Sequence, residues 1–256
     1  MYFGEKDGLK KLVPEDADLY VWLDLENSLS STPSLWSTLS KIEPLAATEK
    51  NYLTGLEKFL ATNDLNLEEL KNALGKEAAL VNLPLDSGDP APVLMVRLQN
   101  EQYRDKVLEI ISKQGDLQEQ EIAGRACYKT HYLRELQSPV IFTFIDDVVV
   151  IAKDATGLEK ILAVSNKQNL PLGKNSDFKK TGAITGAKTT LFVYAKPGQL
   201  ADDQALSFLP SQYLAIVTGY LAKEDFVSLA VEPEKDGLRI KTFSDDPGAG
   251  TKTDFP

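Results

Sequence analysis

Among the side chains of a type that does chemistry, the most conspicuous are two neighbouring acids. In VIFTFIDDVVVIAKD, Val140 to Asp154, the carboxylates of Asp146 and Asp147 stand side by side inside an apolar run. Paired acids can hold a cation or divide general acid and general base work, provided a cleft gives them opposed environments. The flanking residues favour another use. Val140 to Ile145 and Val148 to Lys153 are apolar on both faces, with Phe142 and Phe144 on one and Ile141 and Ile145 on the other. Such a ribbon is buried and has to reverse between its arms. Aspartate tolerates the left-handed backbone conformation and bonds its own backbone, which suits a two-residue turn. Asp146-Asp147 is therefore expected to be a solvated hairpin tip whose carboxylates point apart.

Cys127 and His131 are the chain's single cysteine and single histidine. Four apart on a predicted strand, they share a face. A zinc site would need two further ligands, and no other Cys or His exists to supply them. About 13 Å of extended chain separates the two, too far for a nucleophile–base dyad. Cys127 is expected to be a small buried thiol and His131 a rim residue. GxxxxGK[ST], GxGxxG and GxSxG do not occur, nor does SxxK with its full set of companions, and the Gly182 to Gly186 segment precedes a strand instead of opening a helix. The expectation is no catalytic, cofactor-binding or metal-ligating residue, and no enzyme. Two carboxylates brought together from distant positions, as in glycoside hydrolysis, stay open as the alternative.

The remaining candidates are aromatic: Tyr20, Trp22, Trp36, Tyr52, Phe192 and Tyr194. If helices leave their face of the sheet open, Tyr20, Trp22, Trp36, Phe192 and Tyr194 form a ligand or partner surface, and a carrier of an apolar ligand becomes conceivable. If helices cover that face, the same residues are core. Core is the preferred reading, because the reverse face of each strand is also apolar and needs burial.

Mixed α and β elements must position these residues. Asp18 to Leu25 alternates as a strand does, Leu19, Val21, Leu23 and Leu25 opposite Tyr20, Trp22 and Asp24. Helical spacing follows over 34–61, then a short helix from Leu67 to Leu74 ended by Gly75. Ala78 to Leu83 and Val93 to Leu98 read as a strand pair, and Asn100 caps a helix presenting Tyr103, Val107, Ile110 and Ile111. Leu117 to Ala123 and Arg125 to Tyr132 flank an Ala123-Gly124 turn. Thr156 opens a helix with Leu158, Ile161 and Leu162 inward, a brief helix lies near Phe178, and Thr189 to Lys196 is a strand. Asp202 or Asp203 caps another helix, and the last hairpin turns at Asp236-Gly237. The strand at 191–196 repeats the layout of the first, aliphatic on one side and aromatic, aromatic, charged on the other. The fold class expected is α+β: a largely antiparallel mixed sheet with helices packed on it, two βαββ-like halves around a central meander. Residues 1–17 are expected to be a lead-in following a removed membrane anchor, 18–244 a single domain, and 245–256 a disordered tail or cut linker.

With 256 residues, 43% hydrophobic and 26% charged, the chain is long enough to bury a substantial core. Its formal net charge of −10 repels nucleic acid and anionic bilayers, so neither is expected as a partner. No apolar run approaches the roughly 18 residues of a spanning helix.

In their order, VPEDADLYVWLDL, NLEELKNALGKEAALVNLP, PAPVLMVRLQN, EIAGRACY, VIFTFIDDVVVIAKDATGLEKIL, NSDFKKTGA and TTLFVYAKP resemble a family of bacterial envelope proteins catalogued as domain of unknown function 3352. The resemblance runs from about Val13 to Phe243. It implies a globular region on the extracytoplasmic side of a bacterial membrane, held there by an N-terminal membrane helix or exported by a signal sequence. It carries no catalytic residues across. Partners would be an unknown protein or another envelope component, with the membrane met only through the anchor.

Overall fold

The computed structural model describes residues 7–26, 72–85, 90–112, 117–130, 139–196, 225–234 and 237–245. Among these residues ten strands form one sheet: β1 (Leu19–Asp24), β2 (Leu74–Pro84), β3 (Pro90–Leu98), β4 (Leu117–Ile122), β5 (Arg125–Thr130), β6 (Val140–Ile145), β7 (Val148–Ala152), β8 (Leu191–Ala195), β9 (Val227–Glu234) and β10 (Gly237–Ser244). Their order across the sheet is β10-β9-β8-β1-β2-β3-β7-β6-β5-β4, and every pairing is antiparallel. The helices among the described residues are α1 (Gln102–Ser112), α2 (Ala155–Ser165) and the short α3 (Ser176–Lys180). The class is α+β, dominated by the sheet. Among the described residues no helix is long and apolar enough to cross a membrane.

Period-two alternation assigns each strand residue to a face, and the two faces have different covers. On one lie Tyr20, Trp22, Ala79, Val81, Val93, Met95, Val150, Phe192 and Tyr194, all buried in the main core with Leu158, Ile161 and Leu162 of α2. Asp154 caps α2, its side chain accepting from Gly157 N, so the helix opens at Ala155. On the other face α1 covers one end. Tyr103, Val107, Leu108 and Ile111 pack on Phe142, Phe144, Val149 and Leu98, and Gln102 N donates to Asn100 Oδ1 at 3.0 Å as a cap should. Nearer the sheet's middle that face carries Leu19 and Ala195, with Val21, Val193 and Val227 beside them.

Two details depart from expectation. Gly75 does not end a helix; it lies inside β2, where a Cβ would sit 2.8 Å from Leu98 O and 3.0 Å from Arg97 O. Glycine is needed there for the close approach of two backbones, beside a register shift between Leu74 and Ala78. Gly237 pairs with Glu234 and so belongs to β10; Asp236 lies outside the described residues. So do the helix expected at 34–61, the Leu67–Leu74 helix up to residue 71, the helix near Asp202, residues 246–256 of the tail, Trp36, Tyr52 and His131.

The lead-in is part of the packed body over 7–17. Leu9, Val13 and Ala17 are fully buried in the main core. Val13 O accepts from Leu172 N at 2.7 Å, and Glu15 N donates to Leu170 O at 3.0 Å. A boundary at 17/18 would cut through this packing.

Candidate functional site

At the β6–β7 turn the structure separates the two acids by role. Asp146 takes φ 51°, the left-handed conformation. Its side chain is exposed, and its carbonyl accepts from the Arg104 guanidinium. Asp147 instead turns its carboxylate to the Arg97 guanidinium, forming an ion pair, while its carbonyl accepts from Leu98 N at 2.7 Å. The expected hairpin is present, but only one of the two carboxylates is left to solvent. Among the described residues no group of three or more His, Cys, Asp or Glu side chains is arranged to hold a metal ion.

The other candidates have equally definite surroundings. Cys127 is buried on β5, and burial pushes its thiol up from the usual range, only partly offset by the Thr143 hydroxyl. A neutral buried thiol is a poor nucleophile. Tyr20, Trp22, Phe192 and Tyr194 are all buried, so they are core and not an open binding surface. Phe178 of α3 covers three of them, its ring centroid 5.9 Å from Tyr20, 5.8 Å from Phe192 and 5.4 Å from Tyr194, each pair edge to face. Tyr194 Oη is buried with no hydrogen-bond partner among the described residues.

Beside these aromatics lies a polar cluster that the sequence reading did not single out. Glu77 of β2 faces the core, nearly inaccessible. Its Oε2 accepts from Trp22 Nε1 at 2.9 Å and from Gly8 N at 3.0 Å; its Oε1 accepts from Arg97 Nε at 2.8 Å. Arg97 thus bridges Glu77 and Asp147. Burial lowers the guanidinium's affinity for its proton, but the bonds to Asp147 and Glu77 outweigh that and the net shift is upward. Next to Glu77, Asp7 is fully buried: its Oδ1 accepts from Tyr20 Oη at 2.6 Å and from Lys10 N at 3.2 Å, and its Oδ2 has no partner among the described residues. Desolvation pushes the Asp7 carboxyl up to about 6, against the lowering effect of the Tyr20 bond and Lys10. Burial first, and then the Asp7 charge, raise the Tyr20 phenol. A signal for the Glu77–Arg97 pair existed in the sequence. Glu77 has the parity of Ala79, Val81 and Leu83, and Arg97 that of Val93 and Met95, so both sit on core faces of their strands.

Another buried acid has the same kind of surroundings. Glu232 of β9 pairs with Lys241 at 2.7 Å, and the Thr189 hydroxyl lies 3.3 Å away. These carboxylates accept bonds from the chain's own donors, and what the arrangement does physically is join distant segments.

The family described as "Protein of unknown function (DUF3352)" matches residues 5–254. No curated protein matches this sequence. Among solved structures, crystal form I of TP0453 aligns with a TM-score of 0.48 and 10% identity, over 94% of this chain and 79% of that one.

Proposed function

The chain belongs to the DUF3352 family of proteins of unknown function, and we propose that it is a non-enzymatic binding or scaffolding domain on the extracytoplasmic side of a bacterial membrane. The observation that carries this reading is the use made of three buried acids. Asp7 is occupied by Tyr20, Glu77 by Trp22, Gly8 and Arg97, and Glu232 by Lys241. A catalytic carboxylate has to reach substrate, and the bonded oxygens of these acids reach only neighbouring protein groups. The same proposal includes two βαββ-like halves meeting at β1 and β8. In support, Val21 pairs with Val193 at the centre of the β1–β8 ladder, and a twofold there superimposes Leu19-Tyr20-Val21-Trp22-Leu23 on Leu191-Phe192-Val193-Tyr194-Ala195. Each half continues outward through two more antiparallel strands, β2 and β3 or β9 and β10.

One observation favours a second reading, a carboxylate-dependent hydrolase acting on cell-wall glycan. Asp7, held near pH 6, and Glu77 are neighbouring acids in different environments, as an acid–base pair requires. Their burial argues against it. One experiment separates the two. Purified protein is incubated with isolated peptidoglycan sacculi or with envelope vesicles, and both sedimentation and soluble sugar ends are measured. Retention on either without release supports a binding domain. Release of reducing ends that Asp7→Asn abolishes would establish the hydrolase instead. Location is tested by protease accessibility of the full-length protein in spheroplasts; full protection there would overturn the extracytoplasmic assignment.

A further inference from the structure

Residues 7–12 are held at one end by the Asp7–Tyr20 and Gly8–Glu77 bonds and lie against the core through Leu9. We propose that this segment is a proton-dependent clasp, docked while Asp7 is neutral and released when Asp7 ionises, with residues 13–17 remaining in place.

The geometry divides the lead-in at Val13. From Val13 onward it is fixed by backbone bonds that do not titrate: Leu172 N to Val13 O at 2.7 Å, Glu15 N to Leu170 O at 3.0 Å, and Asn175 Nδ2 to Glu15 O at 3.0 Å. Before Val13, Asp7 and Gly8 link it to the rest of the body through carboxylates. Asp7 Oδ1 accepts from Tyr20 Oη, and Gly8 N donates to Glu77 Oε2. Within the segment Lys10 N also donates to Asp7 Oδ1, and Lys11 N and Leu12 N donate to Gly8 O and Leu9 O.

Asp7 is the titrating member. The charged and titratable groups facing it are Lys10 of its own segment, Tyr20 of β1 and Glu77 of β2, with Arg97 of β3 beyond them against Gly8. Neutral Asp7 fits a dry site that contains one hydroxyl donor and leaves Oδ2 unpaired. Ionised Asp7 would leave a charged oxygen without a donor, beside the Glu77 carboxylate, a strongly unfavourable burial. The carboxyl titrates near 6 when docked, against 3.8 when free. The docked form therefore binds the proton more tightly, and docking weakens as pH rises from about 4 through 6. Between pH 4 and 7 the two values give a fall of about 50-fold in the docked-to-released ratio.

Hydrogen exchange read by mass spectrometry on the whole chain tests this. Protection factors for the amides of 8–12, corrected for intrinsic exchange, should fall about 50-fold from pH 4 to 7, while those of Leu172 and of β6 and β7 hold. Asp7→Asn should abolish the pH dependence. Tyr20→Phe removes the bond that lowers the Asp7 carboxyl, so it should move the midpoint upward, and it carries the test if Asp7→Asn does not fold. Protection at 8–12 independent of pH would overturn the clasp. So would loss in step with β6 and β7, or an unmoved midpoint in Tyr20→Phe. The clasp is independent of any binding role, since none of these readouts involves a partner.

Discussion

Glu77 is the side chain whose removal should reveal most about how this sheet is held. Its carboxylate accepts from Trp22, Gly8 and Arg97 and is almost inaccessible to water. Glu77→Ala removes the carboxylate acceptor of the buried Trp22 N–H, at about 1–3 kcal/mol. The backbone N–H of Gly8 loses its partner too. Breaking a buried ion pair costs about 3–5 kcal/mol when the remaining charge is stranded, but Arg97 keeps Asp147 and a quarter of its side chain is exposed, 26%. The charge component is accordingly discounted, and the total expected is about 3 kcal/mol. Glu77→Gln retains an acceptor for Trp22 while placing an amide against the guanidinium, and should cost about half as much. Urea unfolding followed by circular dichroism measures both, with Glu119→Ala on exposed β4 as a control expected within about 0.5 kcal/mol of the parent. The Glu77→Leu and Arg97→Leu pair adds a coupling test: the double variant should be at least about 1 kcal/mol more stable than additivity gives. If Glu77→Ala loses less than about 1 kcal/mol, the cluster does not hold the segments together and the reasoning fails.

Four further outcomes follow from the same structure. Tyr194→Phe should be neutral or stabilising by up to about 1 kcal/mol, since it removes a buried hydroxyl without a partner; a loss above that in thermal or urea unfolding would mean the hydroxyl is bonded. Gly75→Ala should destabilise by about 1–3 kcal/mol, because its Cβ meets the backbone oxygens of Leu98 and Arg97 and neither can move away alone. Asp146→Gly should leave stability within about 0.5 kcal/mol or raise it, glycine being at ease at φ 51°, whereas Asp147→Ala should lose about 1–2 kcal/mol with the Arg97 pair; equal effects at the two positions would contradict the division of roles. Cys127 should react with a disulfide reagent at least about 100-fold more slowly in the native protein than in urea, given its burial and raised thiol, and comparable rates would place the thiol at the surface.

What was legible in the sequence is what local pattern determines. The β6–β7 ribbon and its Asp146-Asp147 tip follow from two apolar arms around residues that tolerate left-handed backbone. The Ala123-Gly124 turn is legible for a similar reason, with φ 50° and 76° at its two residues. Alternation along β1 and β8 separated the aromatic from the aliphatic face, and burial confirms that the aromatic side is interior. Gly75 was misread because a glycine after a helical pattern resembles a cap, while the backbone of β3 that demands it lies more than twenty residues further along the chain. The burial of the lead-in is not legible because MYFGEKDGLKKLVPED has no regular period. Its anchors, Leu9 and Val13, are isolated apolar residues whose burial depends on α2 and the loop at 170–175, not on any neighbour in sequence.

The acidic side chains carry a more general point about this fold. Asp147 and Arg97 are 50 residues apart, Gly8 and Glu77 are 69, and Asp7 and Tyr20 are 13. Each bond therefore closes a long loop, and together they tie the N-terminal segment, β1, β2, β3 and the β6–β7 tip at one end of the central strands. An open sheet gains its strength along the strands from backbone ladders, and those ladders are indifferent to which end of a neighbouring segment lies where. Side-chain bonds from a charged residue on the core face do discriminate, because a displaced segment would leave a buried charge unpaired. In Asp7 the same device is fitted with a carboxyl that exchanges its proton near pH 6. The cluster is thus permanent at Glu77 and Arg97 and conditional at its N-terminal edge, which is where a chain can come away without unpairing a strand.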